Sequence, residues 1–155
     1  MKNTDTEKKV KEFQKQFDDP ILDKPTIPQD RWELKVRLIQ EELDELKDAI
    51  KENDLIEVGD AIGDLQYVLS GLILEFGFSD CVEDLFNEIH RSNMTKACNT
   101  IEEAEKTIEH YLEKDGTKSY YKKVDEKYVV YREGDNKVLK SVNYSPANLK
   151  KIISN

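Results

Sequence analysis

Two stretches of the chain, EELDEL at residues 41–46 and EVGDAIGD at residues 57–64, carry carboxylates into segments that are otherwise apolar. Wound as a helix from Leu38, the first stretch puts Leu38, Ile39, Leu43, Leu46, Ala49 and Ile50 within about 140° of one another. Glu42 falls inside that apolar stripe, at about 40°, and Glu45 and Glu41 lie on its edge at about −20° and −60°. The second stretch opens the segment LIEVGDAIGDLQYVLSGLILEF, residues 55–76, which is apolar on nearly all sides and is expected to be buried on most of them. Its acids Glu57, Asp60 and Asp64 share an arc of about 60°, which Gly71 and Glu75 continue. No Lys or Arg occurs between Glu52 and His90, so no local salt bridge offsets the repulsion along that arc.

Carboxylates removed from water cost several kcal/mol each, about as much again when crowded, unless a counter-charge is supplied. A hard divalent cation with oxygen ligands is the usual remedy, and Mg²⁺ binds through a few carboxylates together with substrate phosphates. An acid cluster without histidine or cysteine points to Mg²⁺, with Mn²⁺ as a substitute, rather than to zinc or iron. The acids that could share such an ion are Glu41, Glu42 and Glu45 of the first stretch and Glu57, Asp60 and Asp64 of the second. The plainer reading is that a chain with 37% charged residues lays such acids along solvated helix faces. Two further alternatives are a non-catalytic acidic helical module that binds a basic partner and a bundle in which the metal is only structural.

A basic counterpart follows the acid-rich region. In HRSNMTK, residues 90–96, Arg91, Asn93 and Lys96 offer two cations and an amide near a helix end, a combination suited to phosphate oxygens. The same cations would also complement a helix C-terminal dipole. Lys35 and Arg37 are second candidates, as are Lys137 and Lys140. Tyr67 and Trp32 could stack on a base or serve as core residues. Neither His90 nor His110 belongs to a Glu-x-x-His motif, which argues against a di-iron bundle.

These groups need helices to hold them. Val10, Phe13 and Phe17 at helical spacing predict a first helix over residues 5–17, and Pro20, Pro25 and Pro28 an extended loop. A long helix over about 30–52 stops near Asn53 and Asp54, which caps the next over 55–76. Gly77 ends that helix, and Ser79 offers the N-cap of another over about 80–91, with Cys81, Val82, Leu85, Phe86 and Ile89 facing inward. A capping box, Thr100 to Glu103, opens a charged helix that ends before Gly116. KYVVYR and KVLKSV flank the turn EGDN as a β-hairpin, and Ser145 with Pro146 starts a last helical turn. The reading is therefore all-α, a four- to five-helix bundle with a small C-terminal β-hairpin tail. It forms one domain over 1–155, with a helical core at about 30–96, an N-terminal arm at 1–29, and a helix and hairpin at 100–155.

The net charge of −9 gives no general attraction to polynucleotides or anionic membranes. There is no apolar leader-like stretch at the N-terminus, and Cys81 and Cys98 form no framework, so a cytoplasmic, reducing compartment is expected. A helix as apolar as 55–76 asks for cover from a second subunit, and a homodimer or dimer of dimers is expected.

EELDEL followed by GDAIGDLQYVL resembles the all-α nucleoside triphosphate pyrophosphohydrolases, the superfamily of MazG, dimeric dUTPase and phosphoribosyl-ATP pyrophosphohydrolase. HRSNMTK and NKVLKSVNYSP are similar to the phosphoribosyl-ATP pyrophosphohydrolase-like branch. The resemblance covers about residues 34–96, and 128–149 more loosely. It implies a Mg²⁺-dependent hydrolase that cleaves the α–β phosphate bond of a nucleoside triphosphate to give a monophosphate and pyrophosphate, in a deoxynucleotide housecleaning or pool-balancing role. In the superfamily pattern, ExxE on one helix and ExxD on the next hold the metal. Glu42 and Glu45 match the first half. Glu57 and Asp60 fit the second by spacing, but by apolar context Asp64 stands where the final Asp lies, with Ala61 three residues before it. The second pair stays open among Glu57, Asp60 and Asp64. Catalytic roles fall to Glu41, Glu42, Glu45 and Glu57, and substrate contacts to Lys35, Arg91, Asn93, Lys96 and Tyr67.

Overall fold

A computed structural model describes residues 5–154; the first four residues and the last, which the domain reading includes, lie outside them. Among the described residues the order is α1 (Asp5–Gln16), α2 (Trp32–Glu52), α3 (Leu55–Glu75), α4 (Val82–Met94), α5 (Ile101–Asp115), β1 (Ser119–Val124), β2 (Lys127–Arg132) and α6 (Lys150–Ile153). The protein is mostly helical with one small antiparallel hairpin, as its periodicity predicts. Its contacts divide it into two compact units, one ending at Val82 and one beginning at Glu83.

The first unit is built on α2 and α3, joined by two residues. Asn53 takes the left-handed conformation (φ 56°) and its N–H returns to the end of α2. Asp54 then caps α3, its Oδ1 accepting from the N–H groups of Ile56 (3.0 Å) and Glu57 (3.2 Å). α1 packs on α3 through Val10, which is 1% exposed and lies over Gly71, and through Gln14, whose side-chain amide donates to Gly71 O (3.5 Å). The Pro-bounded loop runs along the end of α3, Leu22 N–H donating to Leu74 O (3.1 Å) and Thr26 N–H to Phe76 O (2.9 Å). Gly77 has φ 72°, and a Cβ there would lie 2.1 Å from Lys24 O, so only glycine passes under this loop.

An ion cluster closes the same end. Glu75 is completely buried and sits between Arg31 Nε (2.5 Å) and Lys35 Nζ (2.6 Å), while Arg31 Nη2 also reaches Asp19 (3.0 Å). Glu75 therefore leaves the unpaired acidic arc on which its spacing placed it, because cations from before the base-free segment reach across from the N-terminus of α2. The expectation that α3 is buried on most sides fails in the single chain: Leu55, Ile56, Ile62 and Leu69 are exposed. Phe13 and Phe17 are exposed too, since the buried face of α1 is that of Glu7, Val10 and Gln14, which leaves the two rings at its edge.

In the second unit Cys98, Ala104, Val130 and Leu139 form the core, with Ile108, Tyr111, Tyr121 and Tyr128 packed against it. The capping box forms in a displaced version. Thr100 Oγ1 accepts from Glu103 N–H (3.2 Å), and the Glu103 carboxylate accepts from Asn99 N–H (2.9 Å), one residue before the cap. The hairpin pairs KYVVYR with SYYKKV, not with KVLKSV, through the two-residue connection Asp125–Glu126 with Asp125 at φ 52°. EGDN does turn the chain, but the segment after it makes only the bridge Tyr131↔Val138 before its backbone is drawn elsewhere. Lys140 N–H donates to Tyr111 Oη (3.3 Å), Ser141 N–H to Lys96 O (3.1 Å), and the Ser141 hydroxyl to Glu103. On α4, Phe86 and Ile89 are exposed rather than inward-facing, and Ser79 Oγ is buried without a hydrogen-bond partner instead of capping. The last helical turn starts at Lys150, beyond Ser145 and Pro146.

Candidate active site

Because α2 and α3 fold back on each other, their acids share one region. Glu42 is half-buried, and its Oε2 lies out of contact with water and has no hydrogen-bond partner. Burial holds its carboxyl above the usual carboxylate range, reinforced in turn by the charges of Glu45, Asp64, Glu41 and Asp60. Four acids from two helices thus act on a fifth. Of the α3 acids, Asp64 acts on it more strongly than Asp60.

Glu41, Glu45, Glu57, Asp60 and Asp64 are exposed, so the region is open to water rather than dry in the single chain. Glu41 has a weak partner in Arg37 Nε at 3.9 Å. Among the described residues none of Glu42, Glu45, Glu57, Asp60 and Asp64 takes part in a salt bridge. Nor do any three acid, histidine or cysteine side chains among them stand close enough together to hold an ion. As a donor set these groups are all hard oxygens, and the orphaned Glu42 oxygen is an acceptor still in need of a positive partner, which fits Mg²⁺ or Mn²⁺.

The basic candidates fare differently. Lys35 is not free for phosphate, since its ammonium is buried against Glu75. Arg91, Asn93 and Lys96 belong to the second unit, the acids to the first. Arg91 grips Glu88 with two bonds of 2.8 and 2.9 Å, and donates to Ser145 Oγ and Pro146 O at 3.1 Å. Arg91, with the Asn148 N–H, holds the Glu88 carboxyl down at about 2, so this pair stays ionised. Asn93 is exposed and Lys96 is half-buried. Tyr67 meets Phe13 edge-on, ring centroids 5.5 Å apart.

Sequence spacing missed Arg31 as a partner of Glu75, and Asp19 as the second partner of Arg31. The one available signal was a lone acid at the end of an apolar helix, which must find a cation somewhere. No membrane-spanning candidate occurs among the described residues, where no helix is long and apolar enough to cross.

Over 121 residues, 72% of this chain, the sequence is 34% identical to an uncharacterized protein of Acanthamoeba polyphaga mimivirus. The chain spans 48% of that relative's length. Residues 10–93, which include α2, α3 and the acids Glu41, Glu42, Glu45, Glu57, Asp60 and Asp64, match the model of the phosphoribosyl-ATP pyrophosphohydrolase family. That match covers more than half of the chain, which belongs to the phosphoribosyl-ATP pyrophosphohydrolase family, within the superfamily of MazG-like nucleoside triphosphate pyrophosphohydrolases.

Proposed function

We propose that the protein is a Mg²⁺-dependent nucleoside triphosphate pyrophosphohydrolase that splits the α–β phosphate anhydride, with one water, into a nucleoside monophosphate and pyrophosphate. The observation that carries the reading is Glu42, a half-buried carboxylate with an unpartnered oxygen among four further acids, in a family associated with pyrophosphohydrolase activity. Glu42, Glu45, Asp60 and Asp64 would hold the ion, with Glu57 as the remaining candidate. When bound, Mg²⁺ neutralises phosphate oxygens and acidifies a bound water. Glu41 or Glu57, both exposed, orients the attacking water and accepts its proton.

Arg91, Asn93 and Lys96 are assigned to phosphate contact by family resemblance. For Arg91 that role requires exchange of Glu88 for a phosphate, both of which suit its planar fork. A second copy of the chain, as homodimer or dimer of dimers, would cover the apolar residues exposed on α2 and α3.

Pyrophosphate release from a panel of NTPs and dNTPs, with Mg²⁺ and with EDTA, tests the reading. Turnover of at least one nucleotide that stops in EDTA is expected. Glu45→Gln and Asp60→Asn should each lower turnover by at least about 10²-fold with the helical circular dichroism unchanged. Near-native pyrophosphate release by either variant would sink the assignment.

A further inference from the structure

The helical spacing of Val10, Phe13 and Phe17 describes a single buried stripe, yet only Val10 is buried. Phe13 is 41% exposed and Phe17 64%, and Tyr67, on the facing helix, is 37% exposed. These three rings have found one another rather than the core. Phe13 and Phe17 stand 4.4 Å apart at 34°, and Phe13 meets Tyr67 at 5.5 Å and 88°. Two helices of the same unit thus present a small aromatic corner to solvent.

Its position relative to the acids gives it a use. Tyr67 lies on the α3 stripe of Glu57, Asp60 and Asp64, within about 60° of Asp64 and 20° of Asp60. Along the helix axis it stands about 4.5 Å beyond Asp64 and about 10 Å beyond Asp60. A nucleotide held by its phosphates at the acids carries its base beyond them, and Tyr67 is the aromatic residue that follows the acids on their own helix and brings Phe13 and Phe17 with it. Burial and the nearby charge of Glu12 raise the Tyr67 hydroxyl above its ordinary range, so it remains a hydrogen-bond donor.

We propose that Phe13 of α1 and Phe17 just past its end, together with Tyr67 of α3, form the platform on which the nucleobase stacks, so that the first helix and its end read the base while α2 and α3 hold the phosphates. This rests on the hydrolase reading above and adds Phe13 and Phe17, which the sequence offered only as helix-stripe residues, to the base-stacking role it offered for Tyr67. Rings stack on any base face, so the platform makes possession of a base, rather than its identity, the first requirement.

The test is steady-state kinetics of the full chain with Mg²⁺, beside inhibition by inorganic tripolyphosphate, which has phosphates and no base. Phe13→Ala and Phe17→Ala should each raise KM for every nucleotide that turns over by about tenfold or more, while the Ki of tripolyphosphate stays within twofold. Phe13→Tyr, which keeps the ring, should restore KM. Phe17 is so exposed that its removal cannot act through loss of fold, which circular dichroism would check. Unchanged KM in both alanine variants, or an equal rise in the tripolyphosphate Ki, would overturn the platform and leave the hydrolase reading standing. Conversion to a smaller species in light scattering, with KM recovered at high protein concentration, would also overturn it and assign the corner to a second copy. Failure of the wild-type chain to turn over any nucleotide would remove the hydrolase reading and the platform with it.

Discussion

A carboxylate whose pKa is raised in the folded state is a standing cost to that state, and Glu42 is the residue here that bears it. The cost is absent while the group is protonated, and sets in as pH rises from the ordinary carboxylate value through the elevated one. At neutral pH the metal-free protein is therefore expected to gain stability when the charge is removed. Glu42→Gln should raise the metal-free Tm by a few degrees, since ~1 kcal/mol moves a chain of this size by about 2–4 °C. The same substitution should abolish the Tm gain that Mg²⁺ gives the wild type. That gain should be largest near pH 8 and shrink toward pH 5, as protons compete for the Glu42 oxygens. Thermal melts across this pH range with and without Mg²⁺ check both, and a Mg²⁺ response in Glu42→Gln equal to wild type would count against Glu42 as a ligand.

At the scale of elements, two devices fix how α2 lies against α3. One is the turn, where the Asp54 carboxylate closes the first N–H groups of α3; Asp54→Ala should cost about 1 kcal/mol in urea denaturation. The other is the buried cluster at the opposite end. Burial alone would push the Glu75 carboxyl up, but hydrogen bonds from Arg31 and Lys35 outweigh it and hold it below the usual range. A depressed folded pKa means that the contribution is complete above the ordinary glutamate value, about 4.3, and is lost as pH falls through the lower folded value. Glu75→Ala, which strands two cations in a buried site, should destabilise by about 3–5 kcal/mol at pH 7. Below about pH 4 the difference from wild type should narrow, since the wild-type carboxyl is then itself becoming neutral. A constant difference across that range would mean that packing, and not charge, is what Glu75 supplies.

At the scale of the whole molecule, the exposed apolar residues are the outstanding feature. Leu55 and Ile56 at the start of α3 are 83% and 82% exposed, and Ile50 at the end of α2 is 60% exposed. Apolar residues clustered this way mark an association surface. Sedimentation should find the wild-type chain as a dimer or larger, and Ile56→Glu should shift it toward the monomer. A wild-type chain that sediments as a monomer at the concentrations of the assay would dismiss the second subunit.

How much of this was legible beforehand differs between kinds of residue. Helix limits came through well where a local signal sets them: Asn53 and Asp54 between α2 and α3, Thr100 at the start of α5, Gly77 and Gly116 at helix ends. That acids of α2 and α3 lie near enough to act on Glu42 follows from the two-residue turn that folds one helix back on the other, but among the described residues no three of them stand close enough together to hold an ion. The partner of KYVVYR was not legible, since three neighbouring segments had strand-like composition and hydrogen bonds from distant Tyr111, Lys96 and Glu103 decided which one paired. Nor was the fate of Lys35, Phe13 and Phe17. Periodicity states which residues share a face of one helix, a property of local geometry, and these assignments were right. What lies opposite that face is set by other parts of the chain: Glu75 from 40 residues away claimed Lys35, and the face of α1 turned to α3 is that of Val10 and Gln14, with the two phenylalanines left at its edge. The sequence by itself therefore determined where the main helices run and the caps at Asp54 and Thr100, but not the cap of α4 or its inward face. Only the tertiary structure decided which helix faces met a partner and which were left to water, because that depends on contacts between residues far apart in the chain.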